Sequence, residues 1–234
     1  MGGTSRALIP ALAGFPVDYL YSDVSPFFLN EARERHADTP WVRYGLFDLN
    51  RDYTAQGLMA GSWDVIVCSN VLHNAKHAPT VVERLRELGA PGCTLIVIEA
   101  TREIAALMTS MEFQSGLSGF VDERDALDQT FFTREQWQQM FDAAGGDLLA
   151  AYPDAADPLA RVGQVAFVVR FPGQRAVLHD TALDAQLRER LPAAMLPSRL
   201  EVLEALPLTR NGKVDRAALV ARALAAGQPG ALAP

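Results

Sequence analysis

A histidine and a glutamate stand at the ends of two apolar runs, and together they are the most chemically suggestive pair in this chain of 234 residues. His73 follows Trp63-Asp64-Val65-Ile66-Val67-Cys68-Ser69-Asn70-Val71-Leu72, and Glu99 closes Thr94-Leu95-Ile96-Val97-Ile98. Neighbouring parallel strands lie about 4.8 Å apart, so the residues closing them come within hydrogen-bonding reach. A carboxylate that orients an imidazole fixes its tautomer and strengthens it as a general base. The plainer alternative is a half-buried, hydrogen-bonded histidine with no chemistry. Two further carboxylates close extended runs. Asp23 lies about 20 residues beyond Gly2-Gly3, the spacing at which an acidic group meets ribose hydroxyls in nucleotide-binding α/β units. It equally suits a capping role beside Ser25-Pro26. Asp48, after Phe47, can accept from an adenine amino group or stand as an ordinary loop carboxylate. His36 and His77 are assigned to the surface.

These residues do chemistry only if strands and helices bring them to one edge. Tyr19-Leu20-Tyr21-Ser22 is a short β-prone run, Ser25-Pro26 opens a helix to Arg35, and residues 41–49 read as extended. Residues 63–70 and 94–99 are near-continuous apolar runs, the pattern of strands buried on both faces of a parallel sheet. Between them Pro79 opens a helix with Val81, Val82, Leu85 and Leu88 on one face, and Pro91-Gly92 turns the chain into the next strand. Thr133 with Gln136 forms a capping-box pattern, and Trp137, Met140 and Phe141 supply a packing stripe up to Gly145-Gly146. Residues 165–171 are a last strand. Alternating strands and helices imply an α/β architecture with a parallel sheet, whose ligands bind at the carboxyl ends of the strands. The glycines at the start have no strand before them.

Beyond Pro172-Gly173 the character changes to a smaller unit. It has an amphipathic helix over 183–191, proline punctuation at Pro192, Pro197 and Pro207, a short strand near 200–203, and an alanine-rich helix from Ala218 that fades into a linker. The expected division is 1–173, 174–223 and a linker at 224–234.

Composition narrows the function. With 49% apolar residues the chain can bury a core, and a net charge of −7 without a Lys/Arg block argues against nucleic acid or an anionic membrane as partner. No apolar stretch approaches the about 20 residues a bilayer span requires, and no secretory leader is recognised. Cys68 and Cys93 sit inside apolar runs without metal-type spacing, so no metal site is expected, and a reducing cytoplasm is.

The runs Asp23-Val24-Ser25-Pro26-Phe27-Phe28, Gly45-Leu46-Phe47-Asp48, Trp63 to His73 and Leu95 to Glu99 resemble, in order, the methyltransferase domains embedded in polyketide and nonribosomal peptide synthetases. The similarity is greatest to assembly lines for thiazoline siderophores of the pyochelin and yersiniabactin kind, in which Glu99-Ala100-Thr101-Arg102-Glu103 and Ser110-Met111-Glu112-Phe113 also have counterparts. The resemblance covers about residues 1–171. It implies a Rossmann-like class I methyltransferase fold lacking its first strand, with S-adenosylmethionine as cofactor. Gly2 and Gly3 would end the glycine motif, Asp23 meet the ribose, Asp48 the adenine, Asn70 line the cofactor site, and His73 with Glu99 form the catalytic dyad. The implied substrate is an aminoacyl or peptidyl thioester on a carrier-protein phosphopantetheine arm. An epimerase acting at the thioester α-carbon, or an inactive structural insert, are the alternatives.

Leu191-Pro192-Ala193-Ala194-Met195-Leu196-Pro197 and Leu206-Pro207-Leu208-Thr209-Arg210-Asn211-Gly212-Lys213 resemble the last two motifs of amino-acid adenylation domains, the C-terminal end of a small α+β subdomain. The resemblance implies that Lys213 contacts ATP or AMP as a point charge, and only in an intact synthetase with the large part of the adenylation domain as partner. Ala193-Ala194 stand where aspartate and tyrosine are common in that family.

Overall fold

The computed structural model describes residues 2–104, 108, 117–173, 183–185, 187–188, 191–197, 200, 203, 206–207 and 214–226. The chain divides into two compact units, residues 1–175 and 176–234. The first unit opens with Gly2 at φ 76°, which caps α1 (Gly3–Ala11). There follow β1 (Tyr19–Asp23), α2 (Pro26–Arg35), β2 (Val42–Leu46), β3 (Trp63–Ser69), α3 (Ala78–Leu88) and β4 (Gly89–Ala100). The unit is completed by α4 (Glu123–Leu127), α5 (Arg134–Ala143), β5 (Asp147–Tyr152) and β6 (Gln164–Arg170).

Local chemistry explains the helix starts. Pro26 stands in the first turn of α2, where its missing N–H costs nothing. At α5 both halves of the expected capping box form: Thr133 Oγ1 accepts from the Gln136 amide at 3.2 Å, and Gln136 Oε1 accepts from the Thr133 amide at 2.8 Å. His77 is not the surface residue expected from sequence. It is the N-cap of α3, and its Nδ1 accepts from the Thr80 amide at 3.2 Å. His36 likewise is half-buried at the end of α2.

Two sheets result. β1 and β2 pair in parallel, Asp23 opposite Leu46. The second sheet has the order β3-β4-β6-β5, with β4 parallel to β3 and β6 antiparallel to both its neighbours. The sheet is therefore mixed rather than wholly parallel. The short connection from β5 to β6 permits only an antiparallel return, since a parallel partner needs a long crossover. β5 was not anticipated from sequence. β4 begins earlier than residue 94, with a register irregularity between the pairs Trp63–Gly89 and Val65–Thr94.

The expectation that β3 is buried on both faces fails. Asp64 is exposed and Val65 is 54% exposed, because among the described residues β3 pairs with β4 alone and no strand lies on its other edge. In a doubly wound sheet of order 3-2-1-4-5-6 a first strand stands between the second and fourth. Here β1 and β3 flank that position, and no backbone hydrogen bond joins the two sheets among the described residues. The fold is Rossmann-like α/β without its first strand.

α1 spans the two sheets instead. Ser5 Oγ lies 2.9 Å from the Tyr19 hydroxyl, Thr4 Oγ1 donates to Ser69 Oγ at 2.7 Å, and Ile9 packs with Tyr21, Leu29, Ala32 and Val42. The larger core lies against the four-stranded sheet and is filled by α3 (Val82, Leu85, Leu88) and α5 (Trp137, Met140, Phe141) over Leu95, Val97, Phe167 and Val169. Burying side chains of this size contributes about 1.5–3 kcal/mol each before the entropic cost of ordering them.

In the second unit, Ala193–Met195 form a single 3-10 turn after Pro192. The helix α6 (Arg216–Ala226) starts at Asp215, whose Oδ1 accepts from the Ala218 amide at 2.9 Å. Residues 183–185 and 187–188 are helical. Leu191 is described and not helical, while residues 186, 189–190, 201–202, 110–113 and Lys213 lie outside the described residues. No described helix is long and apolar enough to cross a membrane.

Candidate active site

The strand β3 ends at Ser69, and Asn70 then adopts φ 51°, in the left-handed region that asparagine tolerates better than most residues. The Asn70 amide still bonds to the Ile98 carbonyl at 2.8 Å. The reversal turns the next two amides toward the end of β4, where Glu99 waits. Glu99 Oε1 accepts from the Val71 amide at 2.8 Å and from the Leu72 amide at 2.7 Å. Its other oxygen, Oε2, lies 2.7 Å from His73 Nδ1. Glu99 is 0% exposed and His73 8% exposed, so the pair is sealed from bulk water on the glutamate side. Phe131 meets the imidazole edge-on at a ring separation of 5.7 Å. With a carboxylate oxygen as acceptor, Nδ1 carries the hydrogen and Nε2 keeps its lone pair. That is the tautomer a general base requires. The expected juxtaposition of His73 and Glu99 is thus present, and two backbone amides that sequence reasoning missed complete it.

The remaining candidates of the first unit lie at or just past the carboxyl ends of β1, β2 and β3 and at the start of α1. Asp23 is the last residue of β1, paired with Leu46, and Asp48 lies two residues beyond β2; the Phe47 amide bonds the Asp23 carbonyl at 3.0 Å. Asp23 Oδ1 accepts from the Ser25 amide at 2.8 Å, the capping-type contact foreseen as its alternative. Asp48 is clamped by Gln56, which accepts from its amide at 2.8 Å and donates to its carbonyl at 3.0 Å, while Asp48 Oδ1 accepts from the Asn50 amide. Asn70 is exposed, and its side-chain oxygen accepts from Gln164 Nε2 at 2.9 Å. Gly2 presses against β1: a Cβ there would stand 2.6 Å from the Tyr21 hydroxyl, and its φ is positive, so only glycine fits. A Cβ on Gly3 would meet nothing within 4 Å, which leaves open space at the start of α1. Burial, then the Asp23 carboxylate, push the Tyr21 hydroxyl pKa up. Asp23 and Asp48, as hydrogen-bond acceptors, suit a ligand bearing hydroxyl and amino groups.

The cysteines take no part. Both are free and buried; burial and then Glu99 push the Cys68 thiol up to about 12, while burial and then Asp64 push Cys93 up to about 11. A cavity of about 250 Å³ lined by Gly89, Pro91 and Phe171 opens at the amino end of β4, opposite the strand ends that carry the candidates.

Comparison with known proteins gives the chain its relatives. Residues 1–95 match the family described as methyltransferase domain, and residues 155–213 match the AMP-binding enzyme C-terminal domain. Pyochelin synthetase PchF of Pseudomonas aeruginosa is 40% identical over 220 residues, which is 92% of this chain and 12% of that protein. Hybrid PKS-NRPS synthetase lepA of Aspergillus flavus is 34% identical over 111 residues, 47% of this chain and 3% of that protein. The chain therefore spans about an eighth or less of the length of these relatives. Among solved structures, the CurJ carbon methyltransferase superposes with a TM-score of 0.69 at 26% identity, over 74% of this chain and 46% of that one. The trans-methyltransferase CalH, in complex with SAH, gives 0.62 at 23% identity, over 73% and 48%. Along most of its length the chain is thus similar to one stretch of a synthetase, with the methyltransferase-domain match first and the AMP-binding C-terminal match after it.

Proposed function

We propose that this chain takes part in methyl transfer from S-adenosylmethionine to an aminoacyl or peptidyl thioester carried on the phosphopantetheine arm of a carrier protein, within a cytoplasmic synthetase making a siderophore-like metabolite. The observation that carries the reading is the buried Glu99 carboxylate, which accepts from two amides and aligns His73 through Nδ1. When bound, S-adenosylmethionine supplies a methyl group already activated by its sulfonium. The chain's own work is then to hold, orient and deprotonate. Gly2 and Gly3 leave room at the start of α1, Asp23 accepts from ribose hydroxyls, Asp48 from the adenine amino group, and Asn70 borders the site. His73 Nε2 takes the proton from the carbon beside the thioester, or from the amine, and Glu99 stabilises the imidazolium that forms.

In the second stretch, Lys213 contacts ATP or AMP only when the large part of an adenylation domain completes the site, and that part is its partner in the intact synthetase. The acidic charge and the absence of a basic block favour protein and small-molecule partners over nucleic acid or membrane.

A second reading has its own support. The side chains of the dyad come from β4 and the turn after β3, apart from Asp23 at the end of β1 and Asp48 beyond β2, so the dyad can remove and return an α-proton without a methyl donor, as an epimerase does. The experiment is calorimetric titration of S-adenosylmethionine into the chain and into a form extended by one N-terminal strand and glycine turn, with α-deuterium exchange on an aminoacyl-pantetheine thioester measured in parallel. Binding to the extended form with exchange supports methyl transfer. Exchange without binding supports the epimerase. Neither result leaves a structural insert and overturns both.

A further inference from the structure

The proposed base is held from one side by Glu99, and the structure shows a second, equally buried charge holding it from the other. Arg124, in the first turn of the short helix α4, is 1% exposed. Its Nη1 donates to the His73 carbonyl at 2.9 Å and its Nη2 to the Ala75 carbonyl. Nε and Nη2 also donate to the two oxygens of Asp122, at 2.9 and 2.8 Å. The guanidinium plane lies 3.7 Å from the Phe120 ring centroid and 4.5 Å from that of Phe132.

A buried ion pair is poor evidence of stabilisation, since desolvation consumes most of its attraction and apolar replacements often serve as well. What Arg124 offers beyond a pair is direction. A planar fork with fixed donors reads out the position of two carbonyls at once, which neither an apolar residue nor a lysine can do. Those carbonyls belong to the turn Leu72–Asn74 and the residue after it. Glu99 grips the same turn by its amides. Between them, the amide side and the carbonyl side of the turn are both fixed, each by a buried charged side chain. The contact is part of a longer seam: the Val121 amide donates to the Lys76 carbonyl at 2.9 Å, and Asp122 Oδ2 accepts from the Ala78 amide at 2.9 Å.

We propose that Arg124 is a positioning residue for His73, setting the imidazole against Glu99 through the backbone of the turn rather than by touching substrate. The proposal rests on the reading of His73 as the base. It implies that Asp122 acts on the same turn at one remove, by orienting the guanidinium.

The test uses the full chain with 15N-labelled histidine. Variants are Arg124→Met, Arg124→Lys and, as a control for lost stability alone, Phe141→Leu in the main core. The His73 ring signals, identified by their loss in His73→Gln, report the tautomer, and α-deuterium exchange on an aminoacyl-pantetheine thioester reports the base. In Arg124→Met the single Nδ1-protonated tautomer should give way to a mixture and exchange should fall about 10–100-fold, the scale of outer-contact substitutions at orienting sites. Arg124→Lys should fall between, and Phe141→Leu should melt earlier with the His73 signature intact. A folded Arg124→Met or Arg124→Lys with wild-type tautomer and exchange overturns the proposal; should the methionine variant not fold, the lysine variant decides. If the wild type shows the fixed tautomer but no exchange, the reading of His73 as base fails, and the tautomer spectra still decide the positioning role.

Discussion

The four-stranded half of the first unit and the two-stranded half are built to different standards. Among the described residues, twenty buried side chains form the core of the larger half and five that of the smaller. The larger half holds His73 against Glu99, with the second glutamate oxygen on two backbone amides and the His73 carbonyl on Arg124. The smaller carries Asp23 at the end of β1 and Asp48 just beyond β2, in a sheet of two strands among the described residues. On the proposed reading, proton chemistry and cofactor binding therefore rest on halves of unequal stability. The lesson is that residues for a two-part reaction need not be equally secured by the fold that displays them.

The largest test of this contrast is Glu99→Gln. The amide keeps an oxygen for the Val71 and Leu72 N–H groups but turns an NH2 toward His73 Nδ1, forcing the other tautomer, so α-proton exchange should drop by about 10²–10⁴-fold. Retained exchange would show that the larger half does not house the base. Next come the cores. Phe141→Ala should cost about 3–5 kcal/mol in urea denaturation and Ile9→Ala about 2–3 kcal/mol. Native-state hydrogen exchange should show the isoleucine change confined to the amides of β1 and β2, with β4 and β6 still protected. Equal loss in both sheets would erase the distinction.

A smaller effect concerns acid. Burial alone would push the Asp122 carboxyl up, but hydrogen bonds from Arg124 and the Ala78 amide, with the guanidinium charge, outweigh it and hold the carboxyl below its ordinary range. A carboxyl depressed on folding adds stability that is complete above its unfolded value and is lost as pH falls through the lower folded value. Unfolding midpoints should therefore drop below about pH 4 in the wild type, and Asp122→Asn should flatten that limb. Smallest of all, neither thiol should react with a disulfide reagent at pH 8 until the chain unfolds, since thiols held up near 11 and 12 supply almost no thiolate.

Much of this was legible in the residues. Ser25-Pro26 and the Thr133–Gln136 box are local signals, and local signals carry their meaning wherever the chain folds. The meeting of His73 and Glu99 was legible because both close apolar runs. What an apolar run does not report is whether it has a neighbour, and so β3 read as a strand covered on both faces when one of its edges is open. β5 was missed because Leu148, Leu149, Ala150 and Ala151 lack the β-branched and aromatic residues that mark strands. Arg124 was invisible for a subtler reason. Asp122-Glu123-Arg124-Asp125 reads as a solvated charge cluster, and only tertiary structure turns one member inward over two phenylalanines.

The open edges of β1 and β3 bear on how the protein behaves in a tube. Each presents a ladder of backbone donors and acceptors with no lysine or proline to discourage a visitor, and Val65 adds an exposed apolar side chain. Concentrated samples should associate edge to edge, growing turbid with time well below the melting temperature. Val65→Lys should keep them clear without touching the core, which makes solubility here a matter of one strand's manners rather than of the stability of the whole.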